Sequence, residues 1–168
     1  LGDIYGFTHT DIDVVPDAFF NNPSIATTSI DYAELNPSFV YRVGNGGGEL
    51  NHVVQKNSGS STDGGLTWTM NWNEPANMTI GGQVAVGADG QNIVWSPIGT
   101  AVHYSSTNGS TWSPSSGLPD EAAVASDRVN PDSFYGASGG SFYVSTDSGQ
   151  NFSATVTGLP GTAQIKAV

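Results

Sequence analysis

One aspartate of this sequence has a setting suited to acid–base chemistry. Asp3 lies in a short segment bounded by Gly2 and Gly6. A carboxyl group on such a loop can give or take a proton in a reaction when burial or a second carboxylate adjusts its pKa. The alternative is that Asp3 only caps a turn, as aspartate often does in glycine-rich loops. Both interpretations stay open on the residues alone.

The sequence gives little support for a metal centre. It contains no Cys, which excludes thiolate ligands and disulfides. His9, His52 and His103 share no metal-ligand spacing, so all three are interpreted as structural. Asp11 and Asp13 near His9 give only a faint hint of a cation site. We therefore expect no metal and no cofactor.

The charge balance restricts the ligands that the protein can bind. Four basic residues face fifteen acidic ones, for a formal net charge of −11. With so few cations no basic patch can form, and the surface repels phosphate backbones and anionic membranes. We therefore expect neither nucleic acid nor a membrane as a partner, whereas a neutral polymer is allowed. No apolar run approaches membrane-spanning length.

The chain contains a repeat of eight residues in three copies, at 61–68, 105–112 and 145–152. Their final aromatic residues, Trp68, Trp112 and Phe152, lie 44 and 40 residues apart. A period of this size, in a sequence with 22 Gly and nine Pro, is typical of propeller blades made of short strands and tight turns.

The chemistry of the repeat is that of a turn. Its third position is Asp, replaced by Thr107 in the second copy, and the carboxylate can accept hydrogen bonds from nearby backbone N–H groups. The fifth position is Gly, which reaches positive φ at low cost. The eighth begins a strand and buries a ring. The pattern is similar to the Asp-box, or bacterial neuraminidase repeat, which joins the third and fourth strands of a blade.

Alternation and turn signals predict an all-β fold of about three four-stranded antiparallel blades. The domain organisation is one partial β-propeller over 1–168: the end of one blade at 1–27, blades at 28–72, 82–114 and 122–157, and the first strand of another at 163–168. The predicted strands are 29–34, 39–43, 52–56 and 67–71, then 83–88, 92–96, 101–105 and 111–113, then 122–127, 133–137, 141–145 and 152–157. Three blades cannot close a ring, so the remaining blades are expected from a parent protein.

Five segments carry a more specific resemblance: 1–9, 28–37, 40–44, 93–97 and 126–131. Together with the repeats they resemble the C-terminal propeller of family 74 glycoside hydrolases, the xyloglucanases and the oligoxyloglucan reducing-end-specific cellobiohydrolases. The resemblance implies two seven-bladed propellers with the substrate cleft between them. It also implies hydrolysis of the β-1,4-glucan backbone of xyloglucan with inversion, by one catalytic Asp from each propeller.

The resemblance also assigns roles to individual residues. It places the general acid at Asp3 and the base in the N-terminal propeller, so the isolated chain is expected to be inactive. Tyr5 stands where the family more often has Gly, and both Tyr5 and Trp95 are candidates to stack on a sugar ring. The alternative for Trp95 is a structural role in the hydrophobic core. Asp31 and Glu34, on a predicted innermost strand, could face the central channel.

Two other functions remain as alternatives. A non-catalytic Asp-box propeller could serve as a carbohydrate- or protein-binding scaffold, although such receptor domains generally carry disulfides. A sialidase needs three Arg side chains to clamp its substrate's carboxylate, and this chain has two. Sequons at Asn77, Asn108 and Asn151 fit a secreted, extracellular glycoprotein.

Overall fold

The computed structural model describes residues 9, 11–15, 26–45, 49–50, 53–54, 57–71 and 73–160. Within these ranges the regular structure is β-strand throughout, with no helix. This confirms the all-β prediction. No helix of the described part is long and apolar enough to cross a membrane.

The strands form three four-stranded antiparallel sheets and one small hairpin. In chain order they are β1 (Ala26–Ala33), β2 (Asn36–Asn45), β3 (Glu49–Leu50), β4 (Val53–Val54), β5 (Ser58–Ser61), β6 (Thr69–Met70), β7 (Ile80–Val86), β8 (Ile93–Ile98), β9 (His103–Ser105), β10 (Ser113–Pro114), β11 (Ala123–Ser126), β12 (Phe134–Ser138), β13 (Ser141–Ser145) and β14 (Ser153–Val156). Blade one is β1-β2-β5-β6, blade two is β7-β8-β9-β10 and blade three is β11-β12-β13-β14. Each is an antiparallel meander, and in blade one the hairpin β3–β4 intervenes between the second and third strands.

The third strand of blade one differs from the prediction. It was expected at 52–56, but Val40–Val43 pair with Ser58–Ser61, and Val53–Val54 pair with Glu49–Leu50 in the separate hairpin. The misleading signal was the β-branched pair Val53-Val54, which favours a strand, whereas Ser58-Gly59-Ser60-Ser61 has no such residue. Pairing with β2, rather than local propensity, fixes this strand.

The first strand of the middle blade lies beside the first strands of the other two blades. The side chains of Ser29 and Asp31 on β1 accept hydrogen bonds from the backbone N–H groups of Val84 and Val86 on β7, at 3.2 and 2.8 Å. The side chain of Gln83 on β7 likewise accepts a hydrogen bond from the backbone N–H group of Val124 on β11, at 3.2 Å. Each blade thus satisfies backbone donors of the next, and the innermost strands line up around a common axis.

The hydrophobic cores lie between blades rather than inside any one sheet. One core joins blades one and two, and the other joins blades two and three. Along β7, Val84 and Val86 face the first core while Ala85 faces the second, because successive side chains of a strand point to opposite faces. The middle blade is therefore buried on both faces, which explains its continuous apolar sequence.

The three repeats form equivalent turns, which we call box turns 61–68, 105–112 and 145–152. In each, the hydroxyl of the first Ser accepts the N–H group of the fifth-position Gly, at 2.8, 2.9 and 3.0 Å. The third residue accepts the N–H group of the seventh at 2.9 Å in all three. Thr107 does so with its hydroxyl, so the replacement of Asp keeps this bond.

In box turns 105–112 and 145–152 the fifth-position Gly contacts the preceding blade. Gly109 has φ +82°, and a Cβ placed there would lie 2.5 Å from the ring of Tyr41 in blade one. Gly149 has φ +83°, and a Cβ placed there would lie 2.3 Å from the side chain of Val94 in blade two. Tyr41 and Val94 occupy equivalent positions in the second strands of their blades. The box turns therefore recur on one face of the blades, which we call the box face.

Candidate functional site

Two of the three predicted site residues lie outside the described part of the chain. These are Asp3 and Tyr5, and their roles stay predictions. The third, Trp95, lies in β8, where it pairs with Val84 and His103.

The structure places Trp95 in the interior. Its side chain is 0% exposed, its ring meets Trp112 edge to face at 5.3 Å, and its indole N–H group donates to the carbonyl of Gly81. Additional chain can only bury a residue further, so this ring offers no face on which a sugar could stack. Trp95 is therefore a core residue, and its indole N–H group binds the carbonyl of Gly81 near the start of β7.

The face opposite the box face carries the connections between the second and third strands of each blade, because neighbouring strands alternate in direction. In blades two and three these connections are short, at 99–102 and 139–140. In blade one the connection runs over 46–57 and contains the hairpin β3–β4. We call this side of the molecule the loop face.

The foot of the long connection is held by a glutamate that the sequence analysis missed. Glu74, in the segment between blades one and two, accepts the backbone N–H group of Asn57 at 2.6 Å and its side-chain amide at 3.0 Å. The carbonyl of Asn57 in turn accepts the N–H group of Gly44 at 2.7 Å. The sequence does contain a signal for this glutamate, because both segments between blades carry one Glu close to a Pro, at Glu74 and Glu121.

Asp31 is engaged in contacts between blades. Its Oδ1 accepts a hydrogen bond from Nη1 of Arg128 at 2.9 Å, and its Oδ2 accepts the N–H group of Val86. Glu34 is exposed, and its hydrogen bond with Tyr32 is the main reason why the pKa of that tyrosine is raised. These contacts give both carboxylates a structural setting beside the innermost strand.

The two arginines also have structural settings. Arg42 is fully buried, its guanidinium carbon lies 4.4 Å from the ring centroid of Trp68, and burial lowers its pKa to about 10. Arg128 pairs with Asp31 and contacts the ring face of Tyr32 at 5.4 Å. A clamp for an anionic sugar needs exposed arginines that converge, so this arrangement gives the sialidase alternative no support.

The candidate cation ligands do not converge in the described part of the chain. There, no group of three or more His, Asp or Glu residues could hold a metal ion. His103 is buried with its Nδ1 at 2.7 Å from the carbonyl of Ala101, while Asp11 accepts the N–H group of Asp13 at 2.9 Å in an exposed local turn. His9 is exposed, and His52 lies outside the described residues.

The aspartates of the box turns are held in their charged form. The pKa of Asp63 is lowered to about 2, chiefly because the hydroxyl and the backbone N–H group of Thr67 donate to it. Burial alone would raise the pKa of Asp147, but hydrogen bonds from Asn151 and Ser145 outweigh it, and the net shift is downward. Low pKa values suit turn stabilisation rather than proton donation near neutral pH.

Sequence comparison shows which curated proteins the chain is similar to. No family model matches the chain. A curated xyloglucanase from Paenibacillus sp. is 46% identical over the whole chain, which covers 17% of that protein. A xyloglucanase from Hypocrea jecorina is 40% identical over 90% of the chain and 18% of its own length. The chain therefore spans about a fifth of the length of the curated relatives that it matches.

Solved structures show the same relationship. The family 74 xyloglucanase of Xanthomonas campestris superposes with a TM-score of 0.78 at 32% identity, over 89% of this chain and 22% of that one. A family 74 enzyme of Niastella koreensis gives a TM-score of 0.76 at 28% identity, over 91% and 21%.

The fold and the turns define a segment of a β-propeller whose blades are joined through their box turns and innermost strands. The comparisons identify the family, because a xyloglucanase matches the sequence over the whole chain and a family 74 xyloglucanase superposes on 89% of it. The chain belongs to glycoside hydrolase family 74.

Proposed function

We propose that this chain is part of a glycoside hydrolase that cleaves the β-1,4-glucan backbone of xyloglucan. The observation that carries the proposal is the 46% identity to a xyloglucanase along the entire chain. The charge supports it, because a net charge of −11 is compatible with a neutral polysaccharide and repels polyanions. The remaining length of such an enzyme would supply the rest of the cleft.

In this proposal Asp3 is the general acid of an inverting mechanism. Its proton passes to the glycosidic oxygen as the bond from that oxygen to the anomeric carbon breaks. A second carboxylate, from the other propeller, removes a proton from water, which attacks the anomeric carbon from the opposite side. The two carboxyl groups then need a separation of about 6.5–9.5 Å to leave room for the water. Tyr5, two residues from the acid, would contact the sugar.

The proposed parent has two seven-bladed propellers, and these blades belong to its C-terminal one. Exposed apolar side chains at both ends of the described part support further blades. Ile30 and Tyr32 on β1 are 51% and 41% exposed, and Val156 on β14 is 45% exposed. A neighbouring blade on each side would cover them, as blade two covers Tyr41.

We also propose that the protein is secreted. Xyloglucan is an extracellular polymer, so an enzyme acting on it works outside the cell. The sequon residues Asn77, Asn108 and Asn151 are all exposed, which leaves room for glycans in a host that attaches them.

Replacement of Asp3 by Asn in the full-length enzyme tests the assignment. The amide keeps the size of the side chain but has no transferable proton. Hydrolysis of xyloglucan should fall by a factor on the order of 10² or more. An aryl glycoside with a good leaving group should be largely spared, because its departure needs little protonation. Steady-state kinetics on both substrates separates the two effects.

A turn-capping role for Asp3 gives a different pattern. Asn caps nearly as well as Asp, so stability and both rates would then stay close to those of the wild type. A thermal melt of the Asp3→Asn variant controls for misfolding. Unchanged turnover of xyloglucan would end the case for Asp3.

A further inference from the structure

The turn that leads into β11 holds a glutamate in a backbone conformation that is unfavourable for it. The N–H group of Ala122 donates to the carbonyl of Pro119 at 3.3 Å, and Glu121, the third residue of this turn, has φ +57°. A turn with positive φ at its third residue favours Gly or Asn there, because a larger side chain meets the backbone in the left-handed region. Glu121 therefore occupies a position at which the backbone alone would favour Gly.

The other residues with positive φ show that this glutamate is exceptional. Four residues other than Gly have a positive φ in the described part of the chain: Asn77, Asn108, Glu121 and Ser148. Asn108 and Ser148 hold the fourth position of their box turns, where the first box turn has Gly64, and asparagine tolerates this region better than most residues. The approach to β7 in blade two also has a positive φ, and the residue there is Gly82. Glu121 shares neither explanation.

The contacts of Glu121 within the described chain do not account for its conformation. The residue is exposed, and its Oε1 accepts the N–H group of Gly99 at 3.4 Å. This distance is long for a hydrogen bond, so the contact adds little to the stability of the turn. Gly99 begins the connection 99–102, which puts the carboxylate on the loop face where blades two and three meet. Unfavourable backbone conformations that persist tend to cluster at binding and catalytic sites.

An exposed apolar side chain lies directly before Gly99 in the chain. Ile98 is the last residue of β8 and is 38% exposed. Sites for neutral ligands combine apolar contact with a few polar groups that fix the orientation of the ligand. A carboxylate is a strong acceptor for sugar hydroxyl groups, because hydrogen bonds to a charged acceptor are shorter and stronger than neutral ones. Ile98 and Glu121 thus supply both kinds of group at one place on the loop face.

We propose that Glu121 is a substrate-binding residue, whose carboxylate accepts hydrogen bonds from sugar hydroxyl groups of xyloglucan while the sugar lies against Ile98. The inference rests on the proposed function, which supplies the substrate, and adds a binding residue to it. The loop face suits this role because its connections differ in length from blade to blade, whereas the box face repeats one turn.

Kinetics and thermal melting of the full-length enzyme test the proposal. Glu121→Gly removes the carboxylate and places at φ +57° a residue that adopts this conformation at low cost. We expect KM for xyloglucan to rise roughly three- to tenfold with kcat nearly constant, since the contact contributes to binding rather than to the reacting atoms. The melting temperature should be unchanged or higher. Glu121→Gln keeps one acceptor oxygen without the charge, and its KM should rise less.

Two variants serve as matched controls. Asp120→Asn removes the neighbouring exposed carboxylate, which separates a direct hydrogen bond from the overall charge of the surface. Asn108→Gly makes the same kind of backbone change at φ +53°, but in a box turn on the opposite face. We expect both controls to keep the KM of the wild type.

Each outcome decides a stated point. An unchanged KM in Glu121→Gly would overturn the sugar contact. A higher KM together with a lower melting temperature would assign the effect to the fold and would overturn it too, as would an equal rise of KM in Asp120→Asn. A wild-type enzyme without activity on xyloglucan would instead overturn the proposed function, whereas an active wild type with an unaffected Glu121→Gly variant would overturn this inference alone.

Discussion

Arg128 donates a hydrogen bond of 2.9 Å to Asp31, although the two residues are 97 positions apart. Asp31 lies on the innermost strand of blade one, and Arg128 follows the innermost strand of blade three. The other oxygen of the carboxylate accepts the N–H group of Val86 in blade two at 2.8 Å. A single carboxylate therefore joins three consecutive blades near the axis.

Removal of either partner should loosen this joint. Asp31 and Arg128 are 11% and 25% exposed, so their attraction is only partly screened by solvent. We expect a coupling of about 0.5–1.5 kcal/mol in a double-mutant cycle built from Asp31→Asn and Arg128→Gln. Denaturant unfolding of the wild type, both single variants and the double variant measures it. Strictly additive effects would contradict a direct interaction.

The box turns should differ in their response to acid. The folded pKa of Asp63, about 2, lies below the value near 3.9 of an unfolded aspartate. Asp63 therefore contributes stability above pH 4, and this contribution is lost as the pH falls through about 2. The amide resonance of Thr67, which donates to Asp63, should begin to shift only below about pH 3.

Box turn 105–112 provides an internal control for this titration. Thr111 donates its N–H group to Thr107, which carries no titratable group. Its amide resonance should stay constant over the range in which that of Thr67 moves. A midpoint near pH 4 for Thr67 would show that the carboxylate of Asp63 does not hold the turn.

The fifth-position Gly of box turn 105–112 should tolerate no side chain. Gly109→Ala adds a Cβ at 2.5 Å from the ring of Tyr41, which is itself fully buried, and at φ +82°. Gly64 has a similar φ of +73° but no atom within 4 Å of the added Cβ. We expect Gly109→Ala to lower the free energy of unfolding by roughly 1–3 kcal/mol more than Gly64→Ala. Equal losses in urea titrations would mean that Tyr41 moves aside at little cost.

The burial of Trp95 makes a prediction that separates packing from sugar contact. Trp95→Phe removes ring volume and the hydrogen bond to the carbonyl of Gly81. We expect a loss of about 1–3 kcal/mol in stability, with the affinity for xyloglucan oligosaccharides unchanged. A stacking platform would behave in the opposite way: stability would stay nearly unchanged and the affinity would fall, because Phe offers a smaller ring face to the sugar than Trp does. Calorimetric binding and denaturant unfolding of this variant distinguish the two roles.

Most of the fold was predicted from interactions between residues that are close in the sequence. The Ser, Asp and Gly positions of the box turns form hydrogen bonds within four residues of each other, so the repeat reveals them without any tertiary information. Apolar runs bounded by turn residues likewise revealed the strands of blade two, because both of its faces are buried. The family resemblance added Asp3 and Tyr5 as site residues, which remain predictions.

Long-range contacts decided what the sequence left open. Trp95 stood near a strand end, where the pattern favoured a core position but also allowed a sugar contact, and its burial against Trp112 places it inside. The third strand of blade one lies at Ser58–Ser61 because β2 supplies its hydrogen-bond partners. The grip of Glu74 on Asn57 joins residues 17 positions apart in different segments. The sequence by itself determined the turns and the blade repeat, whose interactions are local. Only the tertiary structure decided which side chains are buried between blades and which connection is held, because those free energies depend on partners far away in the chain.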